Sequence, residues 1–137
     1  MKGLLFAGAL LVMMVSAVPA FSADLVGEWV SQPGKGSGAL SGAPQHGTRP
    51  AGKHFNAGDL SWVLKVSSQE GSGFHGEWCS PKKCEELVGV VRRDGTLLMV
   101  DEDSTFFATM HGDEMELCVV EPGKDFRVAA CHIMKKK

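Results

Sequence analysis

Short apolar segments that alternate with polar residues dominate the chain after residue 24. No stretch there repeats apolar residues at helical spacing, whereas period-two alternation returns about every 8 to 14 residues between turn signals. Successive side chains of a strand point to opposite faces, so this pattern gives each segment one buried and one exposed face. The chain is therefore predicted to be all-β.

The alternation predicts eight strands joined by mostly short connections. They cover residues 25–30, 60–66, 74–78, 86–92, 96–100, 105–110, 115–120 and 126–134. A continuous path of this kind favours an antiparallel up-and-down barrel, in which the eighth strand closes on the first and removes the exposed edges. A barrel of eight strands encloses a space that side chains can fill or that can hold one small ligand.

The first 23 residues have the features of a cleaved signal peptide. Lys2 precedes an apolar run over residues 4–18, and small residues mark the expected cleavage region at 20–23. An uncleaved membrane anchor is the alternative, but the run is shorter than the ~20 residues that a spanning helix needs. We expect residues 24–137 to form one barrel domain, periplasmic or secreted, that is not bound to a membrane after signal cleavage.

Residues 31–58 lack alternation and are rich in Gly, Pro, Ser and His, which predicts a long first loop. Alternate turns of a meander lie at the same end of the barrel, so this loop shares an end with the turns at 80–83, 101–104 and 122–125. Long irregular connections are more often functional or disordered than neutral. A mobile lid over the barrel mouth and simple disorder are the two interpretations.

The inward positions of the strands supply the candidate ligand-binding residues. These are Trp29, Trp62, Phe74, Trp78, Met99, Phe106 and Leu117, with His132 as the clearest inward polar side chain. Binding sites usually combine apolar walls with a few convergent polar groups, so this set suits a small apolar or aromatic ligand. The alternative is that these residues only fill the barrel and that His132 is a hydrogen-bonded core residue.

Four cysteines in a small exported domain predict two disulfides. Cys79 and Cys84 lie opposite each other if residues 80–83 form a four-residue turn, and Cys118 and Cys131 share a face in a hairpin with an even-numbered loop. Facing residues on neighbouring strands come within the Cα distance that a disulfide needs. A four-cysteine zinc site is the rival interpretation, but it requires thiolates that converge on one point, and the compartment is oxidising.

Acidic residues outnumber basic ones and are unevenly spread. Removal of Lys2 leaves 13 basic against 16 acidic residues, so nucleic acid is not an expected partner. From Asp94 to Glu121 there are eight acids and no Lys or Arg, which fits solvated strand ends and turns, an acidic docking face or a cation site. Residues 101–103 offer weak calcium ligands, but the EF-hand pattern is absent. No metal site and no cofactor is predicted.

The hairpin at residues 94–95 has two apolar faces. A two-residue Asp-Gly turn there places Val90 opposite Met99, and the alternate positions are apolar as well. One face must point outward, and an outward apolar patch suggests contact with another subunit or partner. A homodimer through strands 86–100 and a slightly apolar free surface are the alternatives.

The opening of the predicted barrel carries a resemblance to a known group. Residues 25–29, Leu-Val-Gly-Glu-Trp, resemble the Gly-x-Trp start of the lipocalin and avidin-like barrels, the calycins. This resemblance implies that Trp29 plugs the closed end under a basic side chain of the last strand, Lys135 or Lys136. The chain has no tyrosine, so the Thr-Asp-Tyr pattern of true lipocalins is absent.

The end of the chain, residues 115–118 followed by 128–131, also resembles small exported bacterial proteins of no assigned activity, which implies a fold and no function. The first functional hypothesis is an exported binding module that takes a small apolar or aromatic ligand in the barrel mouth. The alternative is an inhibitor or interaction protein that acts on a partner such as lysozyme or a protease through the 31–58 loop, as some similar barrels do. No nucleophile elbow, phosphate loop or zinc motif occurs, so no catalytic residue and no enzymatic activity is predicted.

Overall fold

The computed structural model describes residues 24–44, 49–55 and 61–137; the predicted signal peptide, residues 1–23, lies outside them. The strands are β1 (Gly27–Gly42), β2 (Gly52–His54), β3 (Val63–Glu70), β4 (Gly73–Cys79), β5 (Cys84–Val91), β6 (Leu97–Val100), β7 (Thr105–His111), β8 (Glu114–Pro122) and β9 (Phe126–Lys136). In this described part of the chain, no helix is long and apolar enough to cross a membrane.

Eight of the strands form a closed antiparallel barrel. Strands β3 to β9 pair in sequence order, and β1 pairs with both β3 and β9, so the first and last strands of the barrel meet. Strand β2 is an addition that pairs with β1 at residues 40–42. The predicted all-β, up-and-down barrel of eight strands is confirmed, and it is consistent with a calycin-like fold.

The interior of the barrel is filled by side chains from alternate strand positions. The largest fully buried ones are Leu25, Leu64, Phe74, Leu97, Met99, Phe106, Met115, Leu117 and Met134. Apolar side chains packed at this depth exclude water and stabilise the fold by about 25 cal/mol for each Å² that they bury. A site for a ligand therefore belongs at an end of the barrel.

One end of the barrel is closed by Trp29. Its Nε1 donates a hydrogen bond to the Leu25 carbonyl oxygen at 3.0 Å, and the ammonium group of Lys136 lies 5.7 Å from the ring centroid. The Leu25 amide in turn donates to Oε1 of Gln69 at 3.0 Å. Lys136 thus occupies the position over Trp29 that the calycin resemblance implies for a basic residue of the last strand.

The opposite end, here called the mouth, contains the β4–β5, β6–β7 and β8–β9 turns together with β2 and the later part of β1. This grouping confirms the ends that the meander order predicts. The mouth is therefore where residues from strands distant in sequence meet.

Much of the predicted 31–58 loop is strand, which corrects the prediction. Residues 36–42 of β1 pair with β9, and only the short stretch between Ser31 and Gly36 interrupts that ladder. Glycine suits this pairing because a Cβ atom at Gly38 would lie 2.7 Å from the Ala129 carbonyl oxygen. Composition favoured a loop because glycine is unfavourable in an ordinary strand. Of the remaining loop residues, 45–48 and 56–58 lie outside the described residues.

The β5–β6 hairpin differs by one residue from the predicted two-residue turn. The Gly95 amide donates to the Arg92 carbonyl oxygen at 2.9 Å and Gly95 has φ +83°, which is the pattern of a three-residue connection ending in a glycine bulge. The shift pairs Gly89 with Met99, so both point into the barrel, and it turns Val90 outward.

This register identifies the outer apolar face. Exposed apolar side chains of four neighbouring strands lie there: Val88, Val90, Val100, Phe107 and Val120, each 38 to 50% exposed. The outer face is therefore apolar over a contiguous part of the β5–β8 sheet.

Both predicted disulfides are present. Cys79 and Cys84 face each other at the β4–β5 turn with Cα atoms 4.0 Å apart, and Cys118 and Cys131 face each other across β8 and β9 at 3.9 Å. Each bond thus links directly opposed residues of one hairpin. Two disulfides in a domain of this size are typical of extracellular proteins.

Candidate functional site

Four of the predicted site residues meet at the mouth. The rings of Trp62 and Trp78 are stacked, with centroids 4.9 Å apart and planes 8° from parallel. Phe106 contacts Trp78 edge-on at 5.4 Å, and the His132 ring lies 6.2 Å from Trp62 and 6.4 Å from Trp78. We call these four residues, contributed by β4, β7, β9 and the segment before β3, the aromatic cluster.

His132 is the polar member of the aromatic cluster. It is only 4% exposed, and it makes no hydrogen bond with any residue that the structure describes. Burial lowers the pKa of its imidazole, so the ring is neutral at pH 7. A neutral imidazole offers one donor and one acceptor, which makes it the group of this cluster that can orient a polar atom of a ligand.

Trp62 is held at the mouth by the side chain and the backbone of Ser31 in β1. Its amide donates to Oγ of Ser31 at 2.9 Å, and the Ser31 amide donates to the Trp62 carbonyl oxygen at 2.9 Å. This reciprocal pair fixes Trp62 just ahead of β3. Trp62 is half-buried, whereas Trp78 below it is buried, so an arriving ligand meets Trp62 first.

The other predicted ligand-binding residues lie away from the aromatic cluster. Trp29 is at the closed end, and Phe74, Met99 and Leu117 belong to the packed interior. The structure therefore divides the predicted set into a group at the mouth and a group that fills the barrel.

Acidic side chains lie at the mouth next to one member of the aromatic cluster, Trp78. Carboxylate oxygens of Glu85, Asp101 and Asp103 all lie within 4.8 Å of one another. Glu85 is 8% exposed and pairs in the β4–β5 ladder with Trp78, which joins the acids to the aromatic cluster. A fourth acid, Glu121, is 9% exposed and lies beside the same turn, because Val120 pairs with Thr105 at the start of β7. We call these four residues the acidic cluster.

Asp101 uses one carboxylate oxygen to build its turn and leaves the other without a partner. Its Oδ1 accepts hydrogen bonds from the amides of Ser104 at 2.7 Å and Asp103 at 3.2 Å. Its Oδ2 is buried and has no hydrogen-bond partner among the described residues. Burial, and then the charges of Asp103 and Glu85, raise the pKa of Asp101.

Glu121 makes no hydrogen bond or ion pair with the described residues. Burial raises the pKa of its carboxyl group to about 7, and the charges of Asp103, Asp101 and Glu85 add to the effect. The group is therefore partly protonated at neutral pH.

One lysine offsets the acidic cluster in part. The ammonium group of Lys83 binds Oε1 of Glu85 and lies 3.6 Å from Oε1 of Glu102. Hydrogen bonding to Glu85 is the main cause that raises the pKa of Lys83. Lys83 is half-exposed and is thus shared between Glu85 of the acidic cluster and Glu102.

Two other candidate ligand groups contain the disulfide cysteines. Cys79 and Cys84 lie near Glu77, and Cys118 and Cys131 lie near Glu116. Their sulfur atoms are bonded to each other and supply no thiolate, so these groups do not form the zinc site considered from the sequence.

A groove of about 430 Å³ runs beside the mouth along β1, β2, β8 and β9. Its lining includes Leu40, Phe55, Glu121 and Val128, and the Phe55 side chain is 87% exposed. The groove extends the mouth over the part of β1 that continues past β3.

No protein-family model and no curated protein matches the chain. Interpretation of the site therefore rests on its geometry.

The sequence placed the four residues of the aromatic cluster in its inward set, but it did not single out Glu85 or Glu121. The signal was present, because Glu85 alternates with the inward Leu87, and Glu121 alternates with the inward Leu117 and Val119. Both acids stand where strands meet turns, and an acid at such a position is ordinarily solvated.

Proposed function

We propose that the protein is an exported binding module that takes a small apolar or aromatic ligand at the barrel mouth. The observation that carries the proposal is the aromatic cluster, in which stacked tryptophans lie beside a buried histidine with no hydrogen-bond partner among the described residues. Apolar walls with one convergent polar group are the usual composition of a small-molecule site. The proposal assigns no catalytic residue.

The ligand would stack against Trp62 and donate or accept one hydrogen bond at His132. Aromatic pairs contribute roughly 0.5 to 1.5 kcal/mol beyond the area that they bury, and the histidine would add direction. Because Trp62 lies outermost in the cluster, its side chain must shift for a ligand to reach His132. Binding should therefore change the environment of Trp62 more than that of Trp29.

Export is part of the proposal. The two disulfides support an oxidising compartment, and residues 1–23 have the composition of a signal peptide. A periplasmic or secreted location follows, with cleavage at the end of that segment.

Tryptophan fluorescence of the oxidised protein, residues 24–137, tests the binding site. We expect saturable quenching or a spectral shift with a member of a panel of apolar and aromatic compounds. Trp62→Phe should remove most of the signal, whereas Trp29→Phe, at the closed end, should retain it. A signal that depends on Trp29 and not on Trp62, or no saturable response across the panel, would contradict the proposal.

His132→Leu tests the role of the histidine. No described hydrogen bond is lost in this change, so we expect the free energy of unfolding to change by less than about 1 kcal/mol. Ligand affinity should fall about tenfold if one hydrogen bond is lost. Equal affinity in the two proteins would show that the ligand does not use His132, and a large loss of stability would show that the histidine is a structural residue.

Partner binding is the second candidate function, and one observation favours it. Phe55 follows β2 with 87% of its side chain exposed beside the groove, as an anchor residue for another protein would be. Inhibition assays against lysozymes and a protease panel test this candidate. Loss of inhibition in Phe55→Ser, with an unchanged melting temperature, would support it, and no inhibition at stoichiometric concentration would exclude those partners.

A further inference from the structure

We propose that the acidic cluster at the mouth is a binding site for one calcium-type divalent cation, held by the carboxylates of Glu85, Asp101 and Asp103 with Glu121 beside them. This site is separate from the aromatic cluster and does not depend on the function proposed above.

The spacing of the carboxylate oxygens fits a cation of this size. Oxygens of Glu85, Asp101 and Asp103 lie within 4.8 Å of one another. Calcium binds oxygen ligands at about 2.3 to 2.6 Å, so two ligands on opposite sides of the ion are about 5 Å apart. Magnesium demands near-ideal octahedral geometry and keeps several waters, whereas calcium accepts carboxylates in flexible arrangements, so carboxylates from separate elements suit calcium better. All the donors are oxygens, which suits hard cations rather than zinc or copper.

Two unsatisfied carboxylates distinguish this cluster from ordinary surface acids. Glu121 is more than nine-tenths buried at the mouth and has no hydrogen bond or ion pair with the described residues. Oδ2 of Asp101 is also buried without a partner, although Oδ1 is fully engaged in the turn. Burying a carboxylate without a partner is costly, and a cation between these groups would remove the cost.

The elements around the turn hold the donors in place. Asp101 is fixed by the amides of Asp103 and Ser104, and Glu121 is placed beside Ser104 by the β7–β8 ladder. Glu85 comes from the neighbouring strand β5, on which it follows the disulfide-bonded Cys84. Glu85 and the two acids of the turn therefore come from separate parts of the chain on rigid supports, and little ordering is left for the ion to impose.

Lys83 would compete with the ion for Glu85. Its ammonium group occupies Oε1 of Glu85, and Glu102 lies 3.6 Å from it as an alternative partner. A bound cation would displace Lys83 from Glu85 toward Glu102. Lys83→Met should therefore strengthen cation binding. On a non-specific acidic surface, removal of any other lysine would strengthen binding equally.

Calorimetric titration of calcium into the oxidised protein, after treatment with a chelator, is the primary test. We expect one site with a dissociation constant of about 10⁻⁴ to 10⁻³ M, the range of extracellular calcium modules, and weaker binding of magnesium. Asp101→Asn retains the oxygen that accepts from Ser104 while it removes the charge, and we expect it to weaken binding at least tenfold. Asp103→Asn, at an exposed position, provides a second variant if Asp101→Asn folds poorly.

Asp113→Asn is the matched control, because Asp113 is an exposed acid of the β7–β8 turn at the other end of the barrel. It should bind calcium as the wild type does. No saturable binding, equal weakening in Asp113→Asn, or a preference for magnesium would overturn the proposal.

Terbium luminescence locates the ion. Terbium replaces calcium at oxygen sites and emits when a nearby tryptophan is excited, and Trp78 pairs with Glu85 in the β4–β5 ladder. We expect Trp78→Phe to reduce the sensitised emission strongly and Trp29→Phe to leave it nearly unchanged. Emission that depends on Trp29 instead would place the ion at the closed end and contradict the assignment.

Discussion

Glu121 is a buried side chain that destabilises the folded state when its carboxyl group is charged. Its position on β8 places it on the inward face with Val119, yet at the mouth it meets other acids and no described partner. The carboxyl group of Glu121 can be buried there because it can be protonated and thus uncharged. The cost of its burial therefore depends on pH.

Glu121→Gln should change the pH dependence of stability in protein free of divalent ions. The pKa of Glu121 is raised from 4.5 to about 7 by burial and by Asp103, Asp101 and Glu85. Below pH 4.5 the group is protonated in the folded and unfolded states and costs nothing. As the pH rises from 4.5 to 7 the unfolded state loses the proton first, so wild-type stability falls across this window.

Glu121→Gln should remove that fall and stabilise the protein by roughly 1 kcal/mol at pH 8, a value reduced for solvent screening at the mouth. Chemical denaturation of both proteins at pH 4, 6 and 8 with a chelator present measures the effect. Glu116→Gln, on the exposed face of the same strand, is the control. Parallel curves for wild type and Glu121→Gln would show that Glu121 does not carry the effect.

At the scale of elements, the β5–β6 hairpin shows how a turn decides which face is buried. The glycine bulge at Gly95 shifts the register by one residue, which places Gly89 opposite Met99 and directly against Phe74. A one-residue shift exchanges the two faces of a strand, and both faces here are apolar. The face of β5 that carries Gly89 is the buried one, because Phe74 and Met99 pack over this glycine.

Gly89→Ala should destabilise the protein by about 1 to 3 kcal/mol through overpacking. The added Cβ atom would lie 2.2 Å from Cζ of Phe74 and 2.7 Å from Cγ of Met99, so both side chains must move. Gly73→Ala, whose Cβ would meet its nearest neighbour at 3.7 Å, is the control. Thermal or denaturant unfolding measures both, and a neutral Gly89→Ala would mean that the core around Phe74 has room to adjust.

The two disulfides should differ in what they contribute. Cys118–Cys131 spans 13 residues in sequence and Cys79–Cys84 spans 5. On a chain-entropy model, replacing the first pair by serine should cost about 3 kcal/mol and replacing the second about 2 kcal/mol. Equilibrium unfolding of the two double variants tests the order, and a larger loss from the shorter loop would contradict it.

Elements with strong alternation could be predicted from the sequence, and the remaining features depend on long-range contacts. The eight barrel strands, both disulfides and the inward positions of Trp78, Phe106 and His132 follow from local pattern and strand order. The strand at residues 36–42 does not, because its glycines and serines form a strand only when β9 lies beside them. Glu85 and Glu121 were missed for a related reason, since burial of a charge is a property of the assembled mouth.

For the whole molecule, the homodimer through strands 86–100 stays a prediction, and the structure limits it to one surface. The outer face with Val88, Val90, Val100 and Phe107 is the part of that region exposed to solvent. We expect sedimentation equilibrium to show a dimer, and Phe107→Ser to shift it to monomer without lowering the melting temperature. Phe55→Ser, at the mouth, should leave the dimer intact. A wild-type protein that remains monomeric at high concentration would exclude this interface.

The pairing of β1 with β9 makes the first and last strands of the barrel depend on each other. Trp29 pairs with Lys136, and these residues are more than 100 positions apart. Contacts of such long range slow folding, because most of the chain must be arranged before they form. A nascent or truncated chain that lacks β9 would be an open sheet with two unprotected edges, which can pair with other chains. The ring closes only after β9 has been made, so the edges of β1 and β8 are protected from such pairing late in folding.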